Sequence, residues 1–352
     1  MTVSPTYGIL RKTRFATGAQ EAMKRPKLIV FDMDGVIVDV SRSYRETVRQ
    51  TARLFLQGAR GFERLPDPLF SLVDLARLKQ TGGLNNDWDL TFQVLSLLFA
   101  LVKAPIDPAA SGTGLCHKEE IRTRDVSGLA DFLQTSSSPL MDLFIRYGRR
   151  KDPFIAKWFK GDVGTGNIVK QLFQEIYLGR VLFSKIYGFK PRFRQTGGLI
   201  DKERLLIDRA VLKRLAEEHF LAIATGRPRA EADYPLDHFT IRKYFQLVIT
   251  LDDCILEEEK IFKVRGERVS LSKPNPFMLD LIPRHSGKDF LRCYYIGDTP
   301  DDMLAARSSQ TGYQALGVVL SSPDQSSLRK ELIRAGAHHI IDDYSSLPEI
   351  LV

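Results

Sequence analysis

Two aspartates, Asp32 and Asp34, stand two positions apart near the start of the chain, where a pair of carboxylates could move protons or attack an electrophile. The four apolar residues before them, LIVF at 28–31, predict a buried strand. Because residues two apart in an extended chain point to the same face, the two carboxylates would lie side by side where this strand ends. Such a pair repels unless a positive group intervenes. The pattern Asp-Met-Asp-Gly also fits an ordinary turn, so these residues alone leave both interpretations open.

Two further clusters could bind an anion. Thr225-Gly226-Arg227 follows an apolar stretch and offers a hydroxyl and a free backbone N–H, although Thr-Gly is also a common turn. Lys273 stands in a stiff, proline-containing loop that we expect to open a helix. Taken alone, such a lysine is usually only solvated.

The last cluster is acidic. The sequence GDTPDD at 297–302 contains Asp298 and Asp302, and its carboxylate oxygens suit a hard divalent cation such as Mg²⁺. Ligands of parallel α/β sheets bind at the carboxyl ends of the strands, so the four clusters can converge on one edge. Two acids, an anion-binding hydroxyl, a lysine and a metal-binding cluster are what in-line phosphoryl transfer to a carboxylate requires.

The secondary structure predicted to position these residues differs between regions of the chain. Apolar stretches predict strands at Phe220–Ala224, Leu247–Leu251, Cys293–Ile296, Ala315–Leu320 and His339–Ile341. With 28–31 and the helical stretches between them, they predict βαβ units, a parallel sheet and the α/β class. The intervening region is mostly helical. We therefore divide the chain into an N-terminal extension (1–26), a core (27–40 and 200–352) and an inserted, mostly α-helical domain (41–199).

Local patterns give more detailed expectations. Ser41 is the predicted N-cap of a helix that reaches Phe55, and helical spacing recurs at 92–102 and 168–187. The segment 105–139 is rich in Ser, Gly, Pro and Thr, which predicts a long loop or a partly disordered insert. The charged stretch 257–268 is interpreted as a surface hairpin or loop.

Charge and cysteine content restrict the class of function. Residues 140–195 hold twelve Lys or Arg against four Asp or Glu, and residues 1–26 hold five against one, so the net charge of +8 is regional. No nucleic-acid-binding motif accompanies it, and we expect small anions rather than nucleic acid as partners. We expect the extension 1–26 to be poorly ordered. No apolar run approaches the ~20 residues that span a bilayer. The three cysteines form no Cys-x-x-Cys pair, which predicts reduced thiols and a cytoplasmic location.

The four motifs carry a specific resemblance. Asp32-Met33-Asp34-Gly35-Val36, Thr225-Gly226-Arg227, Lys273-Pro274-x-Pro276 and Gly297-Asp298-x-x-x-Asp302 resemble, in order and context, those of the haloacid dehalogenase (HAD) superfamily. The likeness is closest to its phosphoglycolate-phosphatase-like branch, in which a helical cap follows the first strand of a Rossmann-like sheet. The expected fold is therefore a HAD-like core with an inserted helical cap.

The resemblance also implies roles for residues. Asp32 would be the nucleophile that forms an aspartyl-phosphate, and Asp34 would protonate the leaving group and then activate water. Thr225 and the Gly226 amide would hold phosphoryl oxygens, and Lys273 would link the nucleophile to the phosphate.

The metal is implied by the same resemblance. Mg²⁺ would bind the Asp32 carboxylate, the Asp34 backbone carbonyl and Asp298, with Asp302 at the metal or directly behind it. The predicted function is that of a Mg²⁺-dependent phosphohydrolase acting on a small phosphorylated metabolite. A phosphomutase of the β-phosphoglucomutase kind and a catalytically silent metabolite-binding or regulatory module are the alternatives.

Specificity is expected to come from the inserted domain. Its basic region 140–195 and the loop Gly82–Trp88, with Asn85 and Asn86, are the candidates to contact the substrate beyond its phosphate. A helix-capping turn is an equally good interpretation of that loop. The sequence predicts no oligomeric state.

Overall fold

A computed structural model of the chain describes residues 25–82, 84, 86–104, 116–193 and 196–351. Most of the predicted N-terminal extension (1–26) therefore lies outside the described residues. The same holds for Asn85 and for the first part of the predicted insert, residues 105–115.

Six parallel strands form the central sheet, in the order β5-β4-β1-β6-β7-β8, and β2 and β3 form a separate two-stranded ribbon. The strands are β1 (Leu28–Phe31), β2 (Val38–Asp39), β3 (Arg204–Leu205), β4 (Phe220–Ala224), β5 (Leu247–Ile249), β6 (Cys293–Gly297), β7 (Gln314–Val318) and β8 (His339–Ile341). The predicted α/β class with a parallel sheet is confirmed.

The register of β1 explains why the motifs meet. β1 lies between β4 and β6, and its last residue, Phe31, pairs with Ile223 on one side and Ile296 on the other. The residues that follow these three strands, Asp32, Thr225 and Asp298, therefore lie along one edge of the sheet.

Helices fill the region between β2 and β3. They are α1 (Tyr44–Phe55), α2 (Leu72–Gln80), α3 (Asp87–Leu98), α4 (His117–Arg122), α5 (Ser127–Thr135), α6 (Pro139–Tyr147), α7 (Pro153–Trp158) and α8 (Ile168–Tyr187). The helices of the core are α9 (Arg209–Glu218), α10 (Arg229–His238), α11 (Leu251–Arg265), α12 (Phe277–Ser286), α13 (Pro300–Ser308), α14 (Gln325–Ala335) and α15 (Leu347–Ile350). None of the helices described is long and apolar enough to cross a membrane.

The chain crosses between the core and the helical region twice, and the two crossings run side by side. Val38 pairs with Leu205 and Asp39 with Arg204 in the antiparallel β2–β3 ribbon. The ribbon joins the two linkers close to the predicted boundaries at residues 40 and 200. The division into a core and an insert at 41–199 is retained as a proposal.

The predicted N-cap of α1 is wrong. The helix begins at Tyr44, and the Ser41 amide donates to the Asp39 carboxylate at 2.9 Å in a local turn. Ser43 precedes the helix, but its hydroxyl donates to Glu203 at 2.9 Å and does not cap it. A contact between distant segments has replaced the local cap.

The prediction of a long loop over 105–139 is wrong for its second half, where α4 and α5 form. Their apolar residues recur at helical spacing, and Ile121, Leu129 and Leu133 are buried. The content of Ser, Gly, Pro and Thr outweighed this periodicity in the prediction.

The charged stretch 257–268 is not a hairpin or loop, because most of it lies in α11. Lys260 contacts Glu257 at 3.0 Å and Lys263 contacts Glu259 at 3.8 Å, the spacing of neighbours on a helix surface. The predicted strand at Leu247–Leu251 accordingly ends at Ile249.

Candidate active site

Lys273 and two carboxylates form the floor of a cleft at the carboxyl end of β1. The Lys273 Nζ lies 3.0 Å from Oδ1 of Asp32 and 2.7 Å from Oδ1 of Asp302. Lys273 comes from the loop before α12 and also donates to the Tyr295 hydroxyl at 3.0 Å. The predicted nucleophile and the predicted lysine are thus in direct contact, and both are buried: their side chains are 9% and 8% exposed.

Asp302 lies in the first turn of α13 and is held on all sides. Its Oδ1 accepts from Lys273 and from the Tyr295 hydroxyl (2.7 Å), and its Oδ2 accepts from the Thr299 amide (2.9 Å) and hydroxyl (2.6 Å). Gly297 is required here, since a Cβ at that position would lie 2.3 Å from the Asp302 Cβ. Although burial opposes it, Lys273 together with these hydrogen bonds lowers the pKa of Asp302. Asp302 is therefore ionised and fixes Lys273.

Three carboxylates come close enough to share a cation. One oxygen each from Asp32, Asp298 and Asp302 lies within 4.8 Å of the others. Gly35, at φ +74°, leaves room for this group, because a Cβ there would lie 2.0 Å from the Asp298 Oδ2.

The electrostatics of this group fit a divalent cation. Burial, partly offset by Lys273 and reinforced by the neighbouring acids, raises the pKa of Asp32 to about 8. Burial and the charge of Asp302 raise the pKa of Asp298 to about 7. Oxygen ligands whose negative charges are this poorly compensated are stabilised by a hard cation such as Mg²⁺.

Asp34 contacts a different cation. Its Oδ1 accepts from Arg227 Nε at 2.7 Å and lies 2.6 Å from Nη2, and the Asp34 side chain is 23% exposed toward the cleft. Asp32 and Asp34 therefore have separate partners, which relieves the repulsion expected from their spacing. Arg227 belongs to the predicted Thr225-Gly226-Arg227 cluster, but its contact with Asp34 has no signature in the sequence.

Thr225 and Gly226, the predicted anion-binding pair after β4, differ in their access to the cleft. Gly226 lines the cleft, with open space where a Cβ would point. Thr225 is 1% exposed, and its hydroxyl accepts from the Arg227 amide at 3.2 Å. The turn thus presents the backbone of Gly226 to the cleft and leaves the Thr225 hydroxyl beneath it.

A buried polar network connects Arg227 to the helical region. Its guanidinium bonds Glu203 in the second linker at 2.9 Å and the Tyr177 hydroxyl of α8 at 3.0 Å. It also lies 4.9 Å from the centre of the Tyr44 ring in α1. Tyr44 in turn donates to Glu231. No sequence motif marks Glu203, Tyr44 or Tyr177, and only the fold brings them to the site.

The upper wall of the cleft comes from the helical region. Arg45 of α1, Lys79 of α2 and Asn86 line it, with Asp87 and Trp88 at the start of α3. Asn86 also caps α3, since its Oδ1 accepts from the Asp89 amide at 2.7 Å. The capping interpretation of the Gly82–Trp88 loop is therefore confirmed for this residue, and its contact with a substrate stays a prediction. No described residue of the basic region 140–195 lines this cleft, contrary to expectation. Arg45 and Lys79 supply the positive charge of this wall. Neither was predicted, because both lie on otherwise ordinary amphipathic helices.

Comparison with known proteins identifies a family and several similar structures. The family model described as haloacid dehalogenase-like hydrolase matches residues 26–310. A protein solved as a structural genomics target is similar in fold, with a TM-score of 0.61 and 19% identity, over 93% of this chain and 98% of that chain. A phosphatase from Thermococcus thioreducens has a TM-score of 0.49 and 22% identity, over 87% of this chain and 99% of that chain.

A curated relative is named for a different activity. The imidazoleglycerol-phosphate dehydratase of Phytophthora nicotianae is 24% identical over 293 residues, which cover 83% of this chain and 43% of the relative. The chain thus spans less than half the length of that relative.

Proposed function

The chain belongs to the haloacid dehalogenase-like hydrolase family, and from this premise we propose that it removes phosphate from a small phosphorylated metabolite. The observation that carries the proposal is the contact of Lys273 with Asp32 at the floor of the cleft, beside Asp298. A buried carboxylate paired with a lysine and next to a cation-binding acid suits attack on phosphorus, since these charges offset the repulsion between the carboxylate and the phosphate.

We propose Mg²⁺ as the cation, held by Asp32, Asp298 and the Asp34 backbone carbonyl. When bound, it would supply positive charge to the phosphoryl oxygens. Asp302 already accepts four hydrogen bonds. We therefore propose that Asp302 holds Lys273 in place and does not itself bind the metal.

The first step uses both carboxylates. Asp32 attacks phosphorus and forms an aspartyl-phosphate as the bond from phosphorus to the ester oxygen breaks. Asp34, oriented by Arg227, gives a proton to the departing oxygen, which leaves as an alcohol. The Gly226 amide, together with the Thr225 hydroxyl after a local rotation, would bind phosphoryl oxygens.

The second step restores the enzyme. Asp34 takes a proton from a water molecule, whose oxygen attacks phosphorus as the bond to Asp32 breaks. Inorganic phosphate leaves and Asp34 is protonated again for the next cycle.

The positive charge of the upper wall of the cleft favours binding of an anionic substrate. Arg45 and Lys79 face the catalytic acids from the helical region, and Lys79 is balanced in part by Asp87 at 3.3 Å. With a metal neutralising the core carboxylates, these cations are available to a negatively charged leaving group. Asn86 can add a hydrogen bond to the same part of the substrate.

Two other functions use the same site. A phosphomutase of the β-phosphoglucomutase kind would return the phosphoryl group to a sugar rather than to water, and a silent binding module would not turn over. Dehydration, the activity in the name of the curated relative, is not proposed, because the residues gathered here suit phosphoryl transfer and most of that relative lies outside the match.

A panel assay tests the proposal. The purified chain would be given Mg²⁺ and phosphorylated metabolites that include phosphoglycolate, imidazoleglycerol phosphate and sugar monophosphates, and phosphate release would be measured. We expect release from at least one metabolite at a kcat above about 1 s⁻¹. Conversion of a sugar phosphate to its isomer without phosphate release would support the mutase, and binding without turnover would support the silent module.

A further inference from the structure

A second cavity lies within the helical region, away from the catalytic cleft. It has a volume of about 300 Å³ and opens to solvent between α1, α4 and α8. Its wall combines apolar residues, Leu54 and Leu172, with the basic residues Lys118, Arg122 and Arg192. None of these residues takes part in the proposed reaction.

His117 lines this cavity and is a buried polar residue. It is 5% exposed, and among the described residues neither ring nitrogen has a hydrogen-bond partner of good geometry, although the Phe55 backbone lies close enough to oppose the effect of burial on the His117 pKa. Its ring packs on Phe55 and Trp158, with centroids 4.3 and 5.5 Å away. Burial lowers the pKa of His117 to about 4, so the ring is neutral at physiological pH and can donate one N–H. A buried donor without a good acceptor is unfavourable, and a ligand that accepts its hydrogen bond would remove that cost.

The charges around the cavity are of one sign. Among the described residues, no carboxylate lies within ion-pair distance of Lys118, Arg122 or Arg192, whereas nearby Lys157 is paired with Glu120. Glu175, a buried acid of α8, accepts from the backbone amides of Arg192 and Phe193. The charged residues that line the cavity are therefore all basic and surround a neutral donor, and Glu119 acts on Arg122 from outside this lining.

We propose that this cavity binds a small organic anion. Its carboxylate or phosphate group would contact the basic rim and the N–H of His117, and its apolar part would lie against Leu54 and Leu172. The proposal goes beyond the phosphatase function and does not depend on it. Because α1 and α8 also carry Tyr44 and Tyr177 of the cleft network, the ligand would contact the same helices that reach Arg227.

Fluorescence can report binding, because the chain has two tryptophans and only Trp158 lies beside His117. The Trp88→Phe variant would silence the tryptophan of the catalytic cleft, and EDTA would keep metal from that cleft. The probes are inorganic phosphate, phenylphosphonate and benzoate, which separate the phosphate from the carboxylate and test the apolar part. We expect a saturable change for phenylphosphonate or benzoate, at lower concentration than for phosphate.

Variants test the assignment in the same background. Lys118→Met/Arg122→Met should raise Kd at least tenfold, about 1.4 kcal/mol. His117→Phe, which keeps a ring on Phe55 but removes both nitrogens, should also weaken binding. Lys213→Met/Arg334→Met removes two exposed cations elsewhere and should leave Kd unchanged. The proposal is overturned if no probe gives a saturable signal, or if the control variant weakens binding as much as the cavity variants.

Discussion

The guanidinium of Arg227 holds the carboxylate of Asp34, with Nε and Nη2 at 2.7 and 2.6 Å from one oxygen. Arg227 is itself 2% exposed and is bonded to Glu203 in the second linker and to Tyr177 in α8. The proposed proton carrier is thus oriented by an arginine that is fixed from outside the cleft. Its position depends on the packing of the helical region against the core.

Replacing Arg227 should impair the reaction more than substrate binding. We expect Arg227→Lys to lower kcat by about 100-fold, because small displacements of a catalytic group have effects of that size. KM should change less than about threefold, since Arg227 acts through Asp34. Arg229→Lys, two residues away in an exposed ion pair with Asp253, is the matched control. Equal losses in both variants, or a full loss of folded protein by circular dichroism, would contradict a positioning role.

Metal removal should abolish activity. We expect no phosphate release in excess EDTA and full recovery of activity with Mg²⁺. Recovery with Ca²⁺ should be poor, because the larger ion binds more oxygen ligands in a less regular coordination geometry. Asp298→Asn should raise the Mg²⁺ concentration needed for half-maximal activity by tenfold or more. Activity that persists in EDTA would rule out the metal role of Asp298.

Stability should depend on pH through Glu231. Burial raises the pKa of Glu231 to about 7, although Tyr44, Arg227 and Gln174 contact or face it and favour its ionised form. Because the pKa is raised, the protonated carboxyl group stabilises the fold fully below the unfolded pKa of about 4.5. This contribution to the unfolding free energy is lost as the pH rises through 7. Wild type should therefore lose more unfolding free energy between pH 5 and 8 than Glu231→Gln, by on the order of 2 kcal/mol in urea titrations. The exposed control Glu259→Gln should follow wild type, and an unchanged slope in Glu231→Gln would contradict the burial effect.

Substitutions in the upper wall should change specificity. We expect Lys79→Met to lower kcat/KM at least tenfold for esters that carry a second negative group, about 1.4 kcal/mol of transition-state binding. Asn86→Ala should alter the ranking of metabolite esters by a similar factor. A small aryl phosphate should change much less, since it makes few contacts with this wall. A uniform loss across all substrates in Asn86→Ala would mean that the residue acts only as the cap of α3.

The parts of the site that the sequence predicted are those held by local rules. Each of three apolar strands is followed by a predicted site residue, namely Asp32, Thr225 or Asp298. Parallel strands have their carboxyl ends at one edge of the sheet, so the sequence was enough to predict that these residues lie close together. Lys273 was predicted from the resemblance of Lys273-Pro274-x-Pro276 to a family motif, because a lysine beside prolines is by itself usually only solvated.

The features of the site that the sequence could not predict depend on contacts between distant segments of the chain. Ser43 bonds Glu203, 160 residues away, and Arg227 reaches Tyr177 through the packing of α8 on the core. Such pairs have no spacing signature in one sequence. The positive charge of the cleft was assigned to 140–195 by its abundance there, whereas Arg45 and Lys79 face the cleft because of the way α1 and α2 pack.

The central claim is that Asp32 attacks phosphorus, and chemical trapping of the intermediate tests it most directly. Enzyme mixed with a turned-over phosphate ester and Mg²⁺ would be quenched and treated with borohydride, which reduces an aspartyl-phosphate to homoserine, and its peptides would be analysed by mass spectrometry. We predict homoserine at position 32 in wild type, and neither homoserine nor turnover in a folded Asp32→Asn variant. Homoserine at position 34, or Asp32→Asn retaining a tenth of wild-type activity, would contradict the assignment of the nucleophile.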